Sequence, residues 1–324
     1  MPPPGTPLTP VAARELDSAI ALVRKYSLWR DTVTWPVVER DVRTAAAGAE
    51  SPEDVYPAIR ILLAALGDHH SYFIPPAEQQ MLQRGTGAIV ADVRALGDSV
   101  GYVAIPGYME ADRERTRAYV SRVYAGLEQF ASTARCGWIV DLRRNTGGIG
   151  TPMLGALLPF LGRGLLGGNV LPIRGDSAPI TWTQRWVAMD WMVQNGVDVT
   201  PPADLSALDT AYVAVITGPL TGSAGEIVTL AFHGRPHTRS FGEPTAGATT
   251  GGAVFALPDG ARLAISAALY ADRTGRSYDG PIQPDQLVPV GSAADGDEDA
   301  PIAAAERWLA RSTGCNITAP HIGS

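Results

Sequence analysis

The 324-residue sequence has one lysine, Lys25, and two cysteines, Cys136 and Cys315. Because Lys25 lies in the N-terminal helical part of the chain, a catalytic serine–lysine dyad within the rest of the protein is not expected. Two cysteines are too few for a disulfide framework or a cysteine-based zinc site, and a cytoplasmic setting is the default expectation. Any nitrogen base in a catalytic site must come from five histidines, which are His69, His70, His233, His237 and His321.

The sequence also lacks long apolar runs and an excess of positive charge. No run approaches the roughly 18 apolar residues that a membrane span requires. The first 20 residues contain no basic segment followed by an apolar one, so no secretory signal is expected in the chain as given, and a leader removed by processing stays open. The net charge is −7, from 26 basic and 33 acidic residues, which argues against a nucleic-acid or anionic-membrane partner.

The spacing of apolar residues predicts a helical first part and an α/β second part. Residues 1–10 are Pro-rich and predicted to be disordered, and residues 11–75 have the three- and four-residue apolar spacing of a small bundle of about three helices. Short β-rich runs then alternate with helical segments over residues 76–312, which is typical of an α/β core. Residues 313–324 are predicted to be a tail.

Residues 162–205 form an insertion in this core that is rich in tryptophan and methionine. Within eleven residues it contains Trp182, Trp186, Met189, Trp191 and Met192. Such a cluster is typical of core packing or of an oligomer interface. Next to a catalytic loop it would instead form a lid or an apolar specificity wall.

A serine at the start of a predicted helix is the candidate nucleophile. Ser223 follows a β-rich run and a glycine-bearing turn in AVITGPLTGSAGEIVTLAF. The N–H groups of Ser223, Ala224 and their neighbours converge at a helix start, and the helix dipole there favours the negative charge that serine attack creates. The alternative is structural, because Ser223 and Glu226 have the spacing of a capping box.

Two further segments supply a candidate base and a candidate oxyanion site. His69 and His70 follow the third predicted helix in LGDHHSYF, where a surface polar turn is the alternative. His233 and His237 are weaker candidates, since His233 would lie ~15 Å from Ser223 along a continuous helix.

In DLRRNTGGIG, an apolar strand leads into Gly147 and Gly148, whose backbone N–H groups can face outward without side-chain obstruction. An ordinary turn or a phosphate loop is the alternative, although the spacing matches neither a Walker A nor a Rossmann loop. The candidate orienting acid is Asp279 in RSYDGPIQPD, with Asp272 and Asp285 as rivals, and an aspartate before Gly-Pro is also a common turn residue.

Taken in order, these segments resemble the C-terminal-processing peptidases and tricorn-core serine peptidases. The resemblance covers about residues 15 to 290. It rests on LGDHHSYF, SVGYVAIPGY, DLRRNTGGIG, TGSAGEI, FGEPTAGATTGG, LPDGARLAIS and DGPIQPDQLV. It implies an N-terminal helical domain followed by a crotonase-like spiral α/β core, with Ser223 as nucleophile.

Two departures from the family pattern indicate which branch of the family the chain resembles and which domain it lacks. The Ser–Lys branch has its lysine where this chain has Ala248, so the resemblance is to the tricorn-like branch, which implies His70 as base and Asp279 in place of the usual glutamate. Only about 30 residues separate His70 from Tyr102, so the PDZ domain that many members carry there is absent. Processive recognition of protein C-termini is therefore not expected.

The resulting hypothesis is a serine hydrolase that cleaves a peptide or another acyl compound. Ser223 attacks, His70 moves the proton, Asp279 orients His70, and the N–H groups of Gly147 or Gly148 and of Ala224 hold the oxyanion. No metal or other cofactor is expected, and oligomeric state is left open. The alternatives are acyl transfer or cyclisation from the same acyl-enzyme, and a non-catalytic relative that binds an apolar ligand.

Overall fold

The computed structural model describes residues 6–83, 90–110, 112–171, 181–187, 200–289 and 299–317. The chain divides into two compact units. The first comprises residues 1–87 and 250–268, and the second comprises residues 88–249 and 269–324. The sequence-based domain boundaries stay a prediction. In this division, residues 250–268 group with the N-terminal helices.

The helices and strands are numbered here in chain order. The α-helices are α1 (Pro10–Tyr26), α2 (Trp35–Ala45), α3 (Tyr56–Ala64), α4 (Pro76–Gln83), α5 (Arg113–Ala131), α6 (Gly150–Ala156), α7 (Leu158–Leu161), α8 (Ala224–Phe232) and α9 (Ala300–Thr313). The strands are β1 (Tyr72–Ile74), β2 (Asp92–Leu96), β3 (Val100–Ala104), β4 (Trp138–Asp141), β5 (Leu165–Leu171), β6 (Thr181–Val187), β7 (Val213–Thr217), β8 (Thr238–Gly242), β9 (Thr250–Ala256), β10 (Arg262–Asp272), β11 (Ser277–Tyr278) and β12 (Gln286–Leu287). Short 3₁₀ helices cover Glu53–Val55 and Ala203–Asp209.

The first unit is built on an amphipathic helix with a well-defined start. Thr9 caps α1 by accepting a hydrogen bond from the N–H of Ala12, and Pro10 occupies the first helical position. The buried positions of α1 recur every three or four residues, so one stripe of the helix faces the core. That core joins α1, α2 and α3 to apolar residues near the turn between β9 and β10, such as Leu257 and Leu263.

The β9–β10 pair forms the hairpin expected from LPDGARL. The turn is closed by hydrogen bonds from Leu257 N–H to Ala261 O and from Gly260 N–H to Leu257 O, both 2.9 Å long. Gly260 has φ +91°, a conformation that glycine adopts without strain. The first part of β10 also pairs with β1, the strand that lies between α3 and α4 in sequence.

The second unit contains a sheet with the order β12-β8-β7-β4-β3-β2, parallel throughout except at its β2 edge. The central strands β4 and β7 are buried at every position, as expected for parallel strands covered on both faces. Alternate residues face opposite sides. Val140 belongs to the core shared with α5, α6 and α8, whereas Ile139 belongs to the core shared with α9. The predicted fold class, helices followed by an α/β core, is confirmed.

The C-terminal helix α9 is fixed to β4 at two places. Cys136, just before β4, forms a disulfide with Cys315, with the two Cα atoms 5.7 Å apart and 179 residues between them in sequence. Beyond the other end of β4, Arg143 donates to Asp141 and, at 2.9 Å, to Asp299, the N-cap residue of α9. The cysteine count alone gave no reason to expect this pairing.

Most helix predictions agree with the structure, with one break. The helix expected over 151–161 is divided into α6 and α7 at Leu157, just before a proline at position 159. Among the described residues, no helix is both long enough and apolar enough to cross a membrane.

Candidate active site

The turn that carries Ser223 has an unusual backbone. It leaves the end of β7 and enters α8 with Ser223 as the N-cap residue, at φ +51° and ψ −114°. An ordinary N-cap residue is extended with negative φ, and positive φ costs free energy for a residue that has a Cβ. Such a turn between a strand and a helix is typical of nucleophilic serines. The capping box with Glu226 is also present, so the two interpretations of the motif coexist.

The glycine loop after β4 lies directly against this turn. Because β4 and β7 are parallel neighbours, the loops at their carboxyl ends meet at one edge of the sheet. Gly222 N–H donates to Asn145 O at 3.0 Å. A Cβ atom placed on Gly147 would lie 2.9 Å from Ser223 Cβ and 3.0 Å from Gly222 O. Only glycine therefore allows this approach.

The expected oxyanion donors differ in their hydrogen bonds. Gly147 N–H already donates to Asn145 Oδ1 at 3.1 Å. The N–H groups of Gly148 and Ala224 make no hydrogen bond to the described residues. Gly148 has φ +112°, and a Cβ there would lie 2.1 Å from Tyr108 O. Of the three predicted oxyanion donors, Gly148 and Ala224 are therefore the two whose N–H groups have no acceptor among the described residues.

Glu226 ties the nucleophile turn to the loop after β8. Its carboxylate is fully buried, and Oε2 accepts the N–H of Ser223 at 2.8 Å. Its Oε1 accepts the hydroxyl of Thr245 at 2.6 Å and the N–H of Gly247 at 2.8 Å. Burial raises the pKa of Glu226, and the hydrogen bonds from Thr245, Gly247, Ser223 and Ala248 oppose that rise. The position where the Ser–Lys branch has its lysine, Ala248, therefore contributes a backbone N–H to this carboxylate.

The histidine turn belongs to the first unit and is held by side-chain hydrogen bonds. Asp68 Oδ1 accepts the N–H of His70 at 2.7 Å, and Asp68 Oδ2 accepts both the N–H and the hydroxyl of Ser71. The Nδ1 atom of His70 lies 2.7 Å from Thr250 Oγ1. Burial lowers the pKa of His70 from its usual 6.5, and the charge of Asp68 opposes that shift. His69 is exposed, whereas His70 is half-buried and its ring contacts Thr250. The ring of His70 is therefore held in place by a neighbouring side chain.

The three candidate acids have different surroundings. Asp279 is exposed and makes no hydrogen bond to the described residues, so its orienting role stays a prediction. Asp272 is buried and accepts the hydroxyls of Thr274 and Tyr278, which shapes the turn between β10 and β11. Asp285 accepts the N–H and the hydroxyl of Ser240. The hydroxyl of Thr250, which sequence reasoning did not identify, lies within hydrogen-bond distance of Nδ1 of His70.

His233, His237 and the described part of the tryptophan-rich insertion contact residues outside the two candidate turns. His233 follows α8, with its Nδ1 3.3 Å from the Tyr278 hydroxyl, and His237 packs against Tyr212. Trp186 is buried in the core against Tyr270, which supports the core interpretation for that residue. For Trp182 the structure gives only the pairing of its backbone with β5. Three of the insertion residues and one histidine lie outside the described residues, and these are Met189, Trp191, Met192 and His321.

No group of three or more histidine, cysteine, aspartate or glutamate side chains is arranged to hold a metal ion within the described part of the chain. Gly147 and the buried carboxylate of Glu226 lie next to Ser223. Asp68 and the hydroxyl of Thr250 contact His70. A glycine loop at a helix start suits oxyanion binding, and a histidine held by hydrogen bonds suits proton transfer.

The comparisons with known proteins identify the family and the fold. The model of Peptidase family S41 matches residues 99–288, more than half of the chain. The nisin-resistance protein of Lactococcus lactis subsp. lactis is 25% identical over 268 residues, covering 82% of this chain and 80% of that protein. A lipoprotein from Streptococcus agalactiae has a similar structure, with a TM-score of 0.76, 22% identity, and coverage of 96% of this chain and 98% of that one.

The photosystem II D1 C-terminal processing protease has the same fold, with a TM-score of 0.56, 16% identity, and coverage of 86% of this chain and 92% of that one. The two solved structures establish the fold, and the family model covers the strands and turns that carry Ser223, Gly147 and Gly148. The resemblance noted from the sequence motifs is therefore confirmed. The chain belongs to Peptidase family S41 and is a serine peptidase.

Proposed function

We propose that this peptidase hydrolyses a peptide or another acyl substrate through an acyl-enzyme on Ser223. The observation that carries the proposal is the backbone of Ser223, held at φ +51° at the N-terminus of α8 with Gly147 packed against it. A serine that served only as a helix cap would not need that conformation. The N-terminal end of α8 also favours the negative charge that develops during attack.

In the proposed mechanism, Ser223 Oγ attacks the substrate carbonyl carbon while His70 Nε2 takes the hydroxyl proton. His70 then gives that proton to the leaving group, and a water molecule activated in the same way releases the acyl group. Burial lowers the pKa of His70, so the imidazole is neutral and competent as a base at neutral pH.

The N–H groups of Gly148 and Ala224 are proposed to hold the oxyanion. Both are without a hydrogen-bond partner among the described residues, which supports this role, whereas Gly147 N–H is occupied by Asn145. Removing one such donor costs roughly 3 kcal/mol of transition-state stabilisation. The orienting role of Asp279, which rests on the family resemblance, is tested separately with Asp279→Asn.

An exported, oxidising setting is favoured over the cytoplasmic one expected from composition. The disulfide between Cys136 and Cys315 is the reason, because disulfides persist in oxidising compartments and are rare in the cytosol. The peptide substrate is unidentified. A relative at 25% identity is named for nisin resistance, so nisin belongs among the first test substrates.

Intact-mass labelling with a fluorophosphonate tests the proposal without a known substrate. We expect one adduct on the folded protein, none on Ser223→Ala, and a labelling rate on His70→Ala that is lower by at least about 100-fold. His69→Ala is the matched control and should label at the wild-type rate. Adduct formation on Ser223→Ala, or equal losses in the two histidine variants, would contradict the assignment.

Product analysis separates hydrolysis from the two alternatives. Incubation of the enzyme with a peptide panel that includes nisin, with and without an added amine, should give hydrolysis products in both arms. Exclusive transfer to the amine would favour acyl transfer or cyclisation. A folded protein that neither labels nor cleaves, yet binds apolar ligands, would favour the non-catalytic alternative.

A further inference from the structure

The hydroxyl of Thr250 occupies a position next to His70 where serine peptidases usually have a carboxylate. Thr250 is the first residue of β9, is almost fully buried, and has its Oγ1 2.7 Å from His70 Nδ1. It is 180 residues from His70 in sequence, so the fold alone brings the two together. Both residues lie within the first unit.

A second hydroxyl fixes the direction of the hydrogen bonds. Thr250 donates its hydroxyl hydrogen to Ser266 Oγ at 3.1 Å, in the middle of β10. A hydroxyl has one hydrogen to donate, so Thr250 Oγ1 can only accept a hydrogen from the ring of His70. The neutral imidazole therefore carries its hydrogen on Nδ1 and leaves a lone pair on Nε2. This is the tautomer that a general base requires.

The nearest carboxylate in the histidine turn is committed to the backbone. Asp68 accepts the N–H groups of His70 and Ser71 and the hydroxyl of Ser71, whose Oγ in turn accepts the N–H of Ser266. Asp68 thus fixes the main chain of the turn and acts on the ring through space. Thr250 fixes the ring itself.

We propose that Thr250 is the positioning residue of His70, so that a neutral hydroxyl orients the base. This inference rests on the proposed role of His70. A neutral partner adds no charge to stabilise the imidazolium. Burial lowers the pKa of His70, and the charge of Asp68 and a hydrogen bond to the Thr250 backbone oppose that shift. A carboxylate at the same position would raise that pKa and shift the acid limb of activity to higher pH.

Paired substitutions at position 250 test the hydroxyl while conserving side-chain size. Thr250→Val keeps the shape and removes the hydroxyl's hydrogen bond while the backbone of residue 250 is conserved, whereas Thr250→Ser keeps the hydroxyl. We expect the fluorophosphonate labelling rate of Ser223 to fall about 10- to 100-fold in Thr250→Val and to remain within about 3-fold in Thr250→Ser. With a cleavable peptide, the loss should appear in kcat, with KM unchanged. Ser27→Ala, which removes another buried hydroxyl from the first unit, is the control and should label at the wild-type rate.

Two further readouts keep the test independent of folding and of the proposed function. In Thr250→Asp, the pH midpoint of labelling should rise by about one unit or more. In the wild-type protein, ¹⁵N shifts of the His70 ring should show the hydrogen on Nδ1. A hydrogen on Nε2, or a Thr250→Val protein with the wild-type rate and pH profile, would overturn the inference. If Ser223→Ala still labels, the proposed function fails whatever the result at Thr250.

Discussion

The turn that carries Ser223 and the turn that carries His70 are held by different physical means. The first is fixed by backbone shape, because Gly147, at φ +106°, lies so close that an added Cβ atom would be 2.9 Å from Ser223 Cβ, and the next residue, Gly148, has no room for a Cβ atom beside Tyr108 O. The second is fixed by hydrogen bonds from His70 to Asp68 and Thr250. A turn fixed by shape does not tolerate added atoms, whereas a hydrogen-bonded turn tolerates any change that preserves its donors and acceptors.

The largest effect is expected from Gly148→Ala. The added Cβ would lie 2.1 Å from Tyr108 O, and φ +112° is strained for alanine, so the loop must move. We expect the labelling rate of Ser223 to fall by about 100-fold or more, with a loss of roughly 2–4 kcal/mol in unfolding free energy. Gly164→Ala is the matched control, since nothing lies within 4 Å of the atom it would add. A Gly148→Ala protein with near-wild-type labelling would refute steric control of the glycine loop that lies against Ser223.

An intermediate effect is expected from Glu226→Gln, which changes hydrogen bonding within the turn that is otherwise fixed by shape. Replacing one oxygen by NH₂ leaves either Ser223 N–H or the Thr245 and Gly247 donors without an acceptor. We expect about 2 kcal/mol of lost stability and a labelling rate about 10-fold lower, because hydrogen bonds to buried charges are worth roughly 1.5–3 kcal/mol. Urea unfolding and labelling rates measure both effects. Glu128→Gln, on the exposed face of α5, should change neither, and a silent Glu226→Gln would show that shape alone suffices.

The smallest effect on catalysis is expected from Glu15→Gln, which tests whether polar contacts also control the stability of the first unit. Burial raises the pKa of Glu15 to about 7, with Asp259 also raising it. Since the folded protein holds this proton more tightly than the unfolded chain, the contribution of Glu15 to stability is complete below pH 4.5 and is lost as the pH rises toward 7. That contribution is up to roughly 3 kcal/mol.

The Glu15→Gln protein should lack most of this pH dependence and label at the wild-type rate. Chemical unfolding at pH 5 and pH 8 gives the comparison, with the exposed Glu78→Gln as control. An unchanged slope of stability against pH in Glu15→Gln would place the titrating group elsewhere.

The sequence predicted the parts of the site that depend on local chain geometry. The turns that follow two apolar strands contain Gly147, Gly148 and Ser223. Glycine in such a turn indicates a backbone with positive φ or a close approach of another segment, and a serine at a helix start indicates a cap or a nucleophile. The helical first part and the α/β core followed from periodicity, because three- and four-residue spacing and short β-rich runs reflect the same burial that the structure shows.

Contacts between distant segments could not be predicted in this way. Thr250 opens an ordinary strand, and nothing in its neighbourhood indicates that a histidine 180 residues away is its partner. The two cysteines are similarly distant, so only the fold shows that they pair. Asp279 was predicted from the family resemblance. A motif match gives the position of a residue in the sequence, and it does not give the hydrogen-bond partners that surround the residue in this fold.

The disulfide turns most of the second unit into a covalent ring. From Cys136 to Cys315 the chain is closed on itself, and the ring contains both Gly148 and Ser223. A single backbone cut anywhere inside that ring would leave the two pieces joined, so a nicked enzyme would keep its nucleophile and its oxyanion donors on one covalent molecule. The nick would become visible only after reduction.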